Sequence, residues 1–455
     1  MSTIQPERIK VLCDRPLVGA GRYVLYWMQA SQRVSYNHAL AYAITQANKL
    51  NKPLVVYIGL VGACPVVTAR HYKFMLEGLQ EVAADLHKRG IALVVRLERP
   101  VAGVKRLCAD AALLVVDRGY LKHQKKWRQQ VCAKLKIPCV QVESDVVVPV
   151  ETASDKQEYA ARTIRPKIHR LAKQFIKPLR MLKIKQRSTR LSSDSVSLDD
   201  IDALLKKLKV DRAVAPAPGF VGGTSEAQNR LRSFIRNKLA DYDEERNDPN
   251  IDGTSDLSPY LHFGQISPLE VALAVAKRRG KGVKAFLEEL IVRRELAINF
   301  VFYNRDYDNI KSLPDWARKA LAKHAKDKRP YRYSRSKLEA GKTHDPYWNA
   351  AQMQMVHAGK MHGYMRMYWG KKILEWSSSP RLAWQRALYL NDKYELDGSD
   401  PNGYAGVAWC FGVHDRPWAE RPIFGTVRYM NDTGLRRKFG ADAYVGMVEE
   451  LIEAE

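Results

Sequence analysis

Cysteine is scarce in this chain and acid is in deficit. Six cysteines, at positions 13, 64, 108, 132, 139 and 410, are scattered through 455 residues with no Cys-x-x-Cys among them. That argues against a disulfide scaffold or a zinc cluster and for a reducing, cytoplasmic setting. No apolar run reaches about 18 residues without a charge, so no membrane span is expected. Residues 1–16 lack the apolar core of a secretory signal. There is no Gly-x-Ser-x-Gly elbow, no Gly-x4-Gly-Lys-Ser/Thr loop and no His-Glu-x-x-His pair. Serine-hydrolase, P-loop and zincin chemistry therefore have no visible footing. Gly19-Ala-Gly21 precedes a strand instead of opening a helix, and it lacks a third glycine. His357 and His362, read as one helix, point about 140° apart, so shared metal ligation is not expected and no metal site is assigned.

What the chain has in excess is positive charge. Lys and Arg number 75 against 49 Asp and Glu, a formal net charge of +26. Such a surplus points to a polyanionic partner, nucleic acid first and an anionic membrane surface second. Hydrophobic residues at 46% and charged residues at 27% describe a globular protein, long enough for two or three domains.

Residues 1–150 alternate between two periods. Short apolar runs at 23–27, 53–58, 91–96, 113–116 and 139–142 are separated by helix-period stretches at 36–50, 71–89 and 124–136. This predicts a doubly wound, Rossmann-like parallel sheet. Residues 151–220 form a basic connecting segment. Its stretch 162–190 holds eleven Lys and Arg and no acid, and Ala215-Pro-Ala-Pro-Gly219 reads as a stiff linker. A solvated basic helix and a nucleic-acid contact both fit it. Residues 221–455 are patterned for helices throughout, and seven of the nine tryptophans fall between Trp316 and Trp418. The fold class expected is thus α/β followed by an all-α domain.

Three patterns in the helical half could carry chemistry. Asp252-Gly-Thr-Ser-Asp-Leu-Ser258 reads as a helix-cap neighbourhood whose free N–H groups suit a diphosphate. His362, Arg366, Trp369, Ile373 and Trp376 make one helical stripe. A buried Arg366 would need an anionic partner, which the segment Glu395–Asp400 can supply. The indoles are either core or an electron relay, and periodicity does not separate the two. Lys326–Lys337, with its interleaved tyrosines, suits stacking on nucleic acid or a solvated loop.

Taken together, Asn247-Asp-Pro249, Leu257–Ser267, Phe286–Ile291, Thr343–Trp348, Lys360–Trp376, Tyr394–Asp400, Pro401–Tyr404 and Arg428–Asn431 closely resemble class II cyclobutane pyrimidine dimer photolyases. The resemblance runs from Tyr26 to about Phe439 and is densest from 242 to 430. It implies an N-terminal α/β photolyase domain and an all-helical domain holding a folded FAD that is reduced when active. Light would drive an electron from the flavin into a dimer flipped out of DNA. By position, Tyr242, Thr254, Ser255, Asp256, Leu257, Ser258 and Arg294 resemble FAD contacts. Arg366 with Asp397 resembles the ion pair beside the isoalloxazine, and Asn391 the amide facing flavin N5. Glu289 resembles the carboxyl that hydrogen-bonds the dimer, a role that asks for its protonated form. Arg246, Asn247, Arg293, Met367 and Trp409 resemble lesion-pocket residues, and Arg416 and Trp418 the loop that fills the vacated duplex. Trp369, Trp348 and Trp376 resemble the photoreduction relay, in that order outward. The partner implied is UV-damaged DNA, double- or single-stranded, met by a monomer in the cytoplasm, at the nucleoid if the cell is prokaryotic. An antenna chromophore in the N-terminal domain, a deazaflavin or a folate, is compatible, and no motif decides it. Three departures stand out: Arg293 where some members carry Trp, Ile298 where many carry an acid, and a 409–415 loop one residue short. The alternative is a cryptochrome-like flavin photoreceptor without repair activity.

Overall fold

A computed structural model describes residues 4–17, 19–62, 66–191 and 194–454, so that Cys64 lies outside the described residues. The N-terminal part is built on a six-stranded sheet: β1 (Ile9–Cys13), β2 (Tyr23–Trp27), β3 (Leu54–Gly59), β4 (Ala92–Arg96), β5 (Ala111–Asp117) and β6 (Cys139–Val142). Its order is β1-β6-β5-β2-β3-β4. β2 to β6 run parallel, as their spacing predicts, while β1 pairs antiparallel with β6. The sheet is therefore mixed. β1 carries no apolar run because it is an edge strand whose residues, Lys10 among them, stay partly exposed.

Helices α1 (His38–Lys49) and α2 (Ala69–Lys88) cover one face, and α3 (Pro100–Leu107) and α4 (Lys122–Cys132) the other. Hence the central strands are apolar on both sides: Val24 and Tyr26 enter one core, Leu25 and Trp27 the other. The sequence reading passed over α3, which has eight residues and opens on Pro100. Proline there resembles a turn signal, but it is well tolerated in a first helical turn. β2 and β5 are neighbours whose crossovers leave on opposite faces, so a crevice opens beyond their C-terminal ends.

The basic stretch 162–190 is only half helical. α5 (Ala161–Phe175) buries Ile164, Ile168 and Phe175, and the chain beyond it runs without helix or strand through 190. From 221 onward no strand occurs among the described residues. The helices that position the site are α6 (Tyr242–Glu245), α7 (Ser258–His262), α8 (281–303), α9 (Pro346–Ala358), α10 (Gly363–Trp376), α11 (Pro380–Tyr394), α12 (Pro401–Cys410) and α13 (Ala441–Glu453). α8 is continuous, but Glu288–Arg293 within it is a π-turn. α9 stops at Gly359, whose φ of 71° is left-handed, and α10 starts at Gly363. His357 and His362 thus do not share a helix. Trp348, Trp369, Trp376 and Trp384 are at most 2% exposed, so the tryptophan-rich half does use its indoles as core.

The two halves are joined by buried polar brackets. Arg70 of α2 donates from Nε to Ala215 O at 2.6 Å and from Nη1 to Met355 O at 3.1 Å and Tyr394 O at 2.8 Å. His71 Nδ1 accepts from the Thr68 N–H, which leaves the proton on Nε2 to donate to Glu395 O at 2.9 Å. Burial pushes His71 down to about 4, so the ring stays neutral. Glu295 of α8 accepts from the N–H groups of Val147 at 2.6 Å and Val148 at 3.2 Å. No helix among the described residues is long and apolar enough to cross a membrane.

Candidate functional site

Arg366 lies at the centre of the helical half, one turn before Trp369 on α10. Its Nη2 is 3.1 Å from Glu395 Oε1 and 3.8 Å from Asp397 Oδ1. The expected acidic segment does supply the partner, but Glu395, not Asp397, is the nearer carboxylate. A single guanidinium faces two carboxylates there. Glu395 is 1% exposed, and burial pushes its carboxyl up to about 8 against the pull of Arg366. Its Oε1 also accepts from the Met361 N–H at 3.2 Å, while Oε2 and the Nε of Arg366 are buried with no hydrogen-bond partner. The Arg366 side chain nevertheless retains 21% of its surface. A Cβ built on Gly406 of α12 would meet nothing within 4 Å. Unspent buried polar atoms are what a hydrogen-bonding cofactor would use.

Asn391, in the last turn of α11, is 2% exposed and donates from Nδ2 to Asp392 Oδ1 at 3.0 Å. Gly403 of α12 faces it: a Cβ there would come within 3.0 Å of the Asn391 Nδ2. The Asp252–Ser258 stretch does precede a helix, but its side chains do not cap it, since α7 has no side-chain cap bond. They bind one another and two lysines instead. Thr254 Oγ1 donates to Asp256 Oδ1 at 3.0 Å, Lys360 binds Asp256, and Lys238 Nζ reaches Asp252 Oδ1 at 2.5 Å. Asp256 has a φ of 52°, a left-handed conformation that aspartate accepts more readily than most residues with a side chain. Ser255, Leu257 and Ser258 complete this turn, whose two lysines suit a diphosphate.

Nearby, Arg246 and Glu289 form an ion pair of 2.6 Å, with the guanidinium 5.8 Å from the Tyr242 ring. Burial and the Glu289 carboxylate push the Tyr242 hydroxyl up to about 12. Glu289 sits in the π-turn, which re-aims it relative to a regular helix. The sequence reading asked for a protonated Glu289, and the structure sets the Arg246 guanidinium against its carboxyl. Asn247 and Arg293 are exposed, and Arg293 Nε lies 3.5 Å from Glu288. Arg294 donates to Asp145 O at 2.5 Å. It lines, with Gln29, Gln32, Tyr120, His262 and Ile298, a cavity of about 190 Å³ at the crevice between β2 and β5. Ile298 is 1% exposed in the core, a place where an unpaired acid would be costly.

Trp369 and Trp348 stack with centroids 6.4 Å apart and planes 4° apart, and Trp376 follows 5.5 Å from Trp348. The rings thus adjoin in the sequence Trp369, Trp348, Trp376. Since Trp376 is 1% exposed, the aromatic line does not end there. Tyr333 and His344 lie 5.2 and 5.4 Å beyond it, and Tyr331, 47% exposed, stacks on His344 at 3.6 Å. The sequence reading took these tyrosines for nucleic-acid stacking or a solvated loop. Their alternate spacing in an irregular stretch has no period from which contact with Trp376 could be read.

The loop after α12 is held from two sides. Lys371 is fully buried and donates to Cys410 O at 2.5 Å, and Tyr159 Oη donates to Asp415 O at 2.8 Å. Arg416 and Arg428 lie 4.8 and 5.1 Å from the ring of Trp418, which is 39% exposed. Met367 and Trp409 are half-buried on α10 and α12. Among the described residues no group of three His, Cys, Asp or Glu side chains is placed to hold a metal ion.

The DNA photolyase family model matches residues 24–183. Across 99% of its length the chain is 52% identical to the deoxyribodipyrimidine photo-lyase of Methanothermobacter thermautotrophicus, all of which is covered. This chain belongs to the photolyase/cryptochrome family. Family relatives named deoxyribodipyrimidine photo-lyase in Potorous tridactylus and Arabidopsis thaliana are 44% and 39% identical, over 95% and 99% of this chain and 82% and 94% of theirs. The fold is shared with a class III photolyase from Agrobacterium tumefaciens, at a TM-score of 0.71 and 20% identity over 93% of this chain and 86% of that one. It is shared equally with a Synechocystis cryptochrome, at a TM-score of 0.72 and 15% identity over 93% and 87%. Family membership accounts for both halves of the architecture, the sheet with its covering helices and the all-helical part.

Proposed function

We propose that this protein is a deoxyribodipyrimidine photo-lyase that repairs cyclobutane pyrimidine dimers in DNA under light, of the class II type its motifs resemble. The observation that carries the reading is the buried Arg366–Glu395 ion pair with unspent polar atoms, one turn from a line of three indoles on the same half of the molecule. FAD, when bound and reduced, supplies the electron that light drives into the dimer and that returns once the ring has opened. Arg366, Glu395 and Asp397 hold one edge of the flavin, and Asn391 presents a neutral amide that tolerates more than one charge state. Lys360 and Lys238, with Thr254 and Asp256, take the diphosphate side, next to Tyr242.

Glu289 and Arg246 act together at the lesion. For the Glu289 carboxyl to donate to a dimer carbonyl it must gain a proton and release Arg246, which then turns to the DNA phosphates. Met367 and Trp409 wall this pocket, and Arg416 and Trp418 project from the loop toward the gap in the duplex. The cavity between β2 and β5 is the place for an antenna chromophore, at the crevice where sheets of this order bind ligands. The same reading takes the protein as a monomer that works where the DNA is, in the cytoplasm, and at the nucleoid if the cell is prokaryotic.

The test is repair of a thymine-dimer oligonucleotide by the purified, reduced protein under blue light and in the dark. Restored thymines in the lit sample alone are expected. Flavin retained without repair would overturn the reading in favour of a light sensor.

A further inference from the structure

Residues 176–190 hold six Lys and Arg and no acid, and they form an irregular strap across one end of the sheet half. The strap is pinned at several points. Asn48, at the end of α1, donates from Nδ2 to Lys183 O at 2.9 Å and accepts at Oδ1 from the Lys185 N–H at 2.8 Å. Ser188 is fully buried; its Oγ donates to Leu54 O at 2.5 Å and accepts from the Ala92 N–H at 2.7 Å, at the first residues of β3 and β4. Met181 and Ile184 pack on the core that α1 and α2 cover. Lys183, Lys185 and Arg187 are left exposed between these anchors. Each is two residues from the next, so their Cα atoms are held at most about 7 Å apart along the chain.

These three bases are uncompensated. In α5, Arg165 and Lys167 pair with Glu288 and Glu158. Among the described residues, none of Lys183, Lys185 and Arg187 is paired with an acid. Arg187 widens the patch: a Cβ built on Gly90 would come within 3.0 Å of its Cγ, next to the exposed Arg89. Lys49, exposed at the end of α1, flanks it beside Asn48. Helix dipoles favour a base at Lys49 and at Arg89, but the three bases of the strap belong to no helix. Like charges fixed together without acids make a positive potential that a polyanion relieves. A bilayer surface takes bases with an apolar face beside them, whereas here Met181 and Ile184 face the core and Leu182, 36% exposed, stands alone. A phosphate backbone asks for charge only.

The patch is remote from Arg366 and Glu395. α2 has 20 residues, a length of about 30 Å at the usual helical rise. Its first turn holds the carbonyls of Tyr394 and Glu395, and the chain just past its last turn meets Arg187. We propose that Lys183, Lys185 and Arg187, flanked by Lys49 and Arg89, are a second nucleic-acid surface, which binds the phosphate backbone of a duplex segment other than the one presented to the lesion pocket. Such a surface reads neither sequence nor damage. It needs no flavin and no dimer, and it holds the protein on undamaged DNA while the lesion pocket stays open.

The experiment acetylates the lysines of the full-length purified chain, alone and with a short undamaged duplex, and reads each site by mass spectrometry. Acetylation of Lys183 and Lys185 is expected to fall several-fold when duplex is present. Equal acetylation with and without duplex would overturn the proposal. So would protection by phosphatidylserine vesicles where duplex gives none. The triple variant K183A/K185A/R187A should keep its melting temperature, since all three side chains are exposed. Its slope of log affinity for undamaged duplex against log salt should drop by about 3, one for each lost phosphate contact. An unchanged slope in the folded variant would overturn the proposal as well, and the acetylation result on the unaltered chain decides the matter if the variant fails to fold.

Discussion

At the scale of single residues, two buried glutamates govern how the fold responds to pH. Glu395 and Glu295 are both pushed up to about 8 by burial, one beside Arg366 and the other under the N–H groups of Val147 and Val148. An unfolded glutamate releases its proton near pH 4.3, by the usual value of about 4.3 for the free side chain. From there up to about pH 8 the folded chain holds protons that the unfolded chain has lost. Stability therefore falls as pH rises through this window. His71, His362 and His414, lowered to about 4 by burial, act with the opposite sign, but only below their ordinary range near about 6.5. Between about pH 6.5 and 8 the glutamates act alone among these five. The melting temperature should decline across that interval, and both E395Q and E295Q should flatten the decline. A slope unchanged in both variants would mean that neither carboxyl holds its proton in the folded chain.

Elements decide what these residues can reach, and α2 is the instructive case. Its first turn places Arg70 and His71 against the carbonyls of Ala215, Met355, Tyr394 and Glu395, so a helix of the sheet half fixes the segment that faces Arg366. R70A removes one charged donor and leaves several buried carbonyls short. A loss of about 3 kcal/mol or more is expected in denaturant unfolding, along with weaker retention of flavin. α9 and α10 make a second case, since only their packing brings Trp348 between Trp369 and Trp376. W348F should block photoreduction of the flavin, followed by absorbance, while repair by chemically reduced enzyme survives. Loss of both would count against a relay role. Much of this was legible in the chain. The five parallel strands announce themselves because both faces are buried, and the Arg366–Trp376 stripe because one helix carries it. β1 was hidden by its exposed edge and α3 by Pro100. The π-turn at Glu288–Arg293 leaves no trace in residue type, and the choice of Glu395 over Asp397 is made by a loop that α2 holds from another half of the molecule.

For the whole molecule, the net charge of +26 describes a field more than a set of contacts. Some of the bases that look available in the sequence are already engaged: Arg165 with Glu288 at 2.7 Å and Lys167 with Glu158 at 2.5 Å. Arg162 is different. It is exposed on α5, 5.9 Å from the ring of Tyr159, whose hydroxyl holds Asp415 in the loop next to Arg416 and Trp418. That places an exposed cation beside the loop assigned to the opened duplex. A phosphate contact at Arg162 positions DNA and reads no base, so its removal should weaken damaged and undamaged duplex alike. R162A should also lower the slope of log affinity against log salt by about 1, because one fewer counterion is released. W418A should behave in the opposite way, reducing preference for the dimer and leaving the salt slope where it was. Titrations of both variants with damaged and undamaged duplex, at several salt concentrations, separate the two effects. If R162A changed lesion preference while keeping the full salt slope, α5 would be shaping the lesion pocket through Tyr159 and not meeting the backbone.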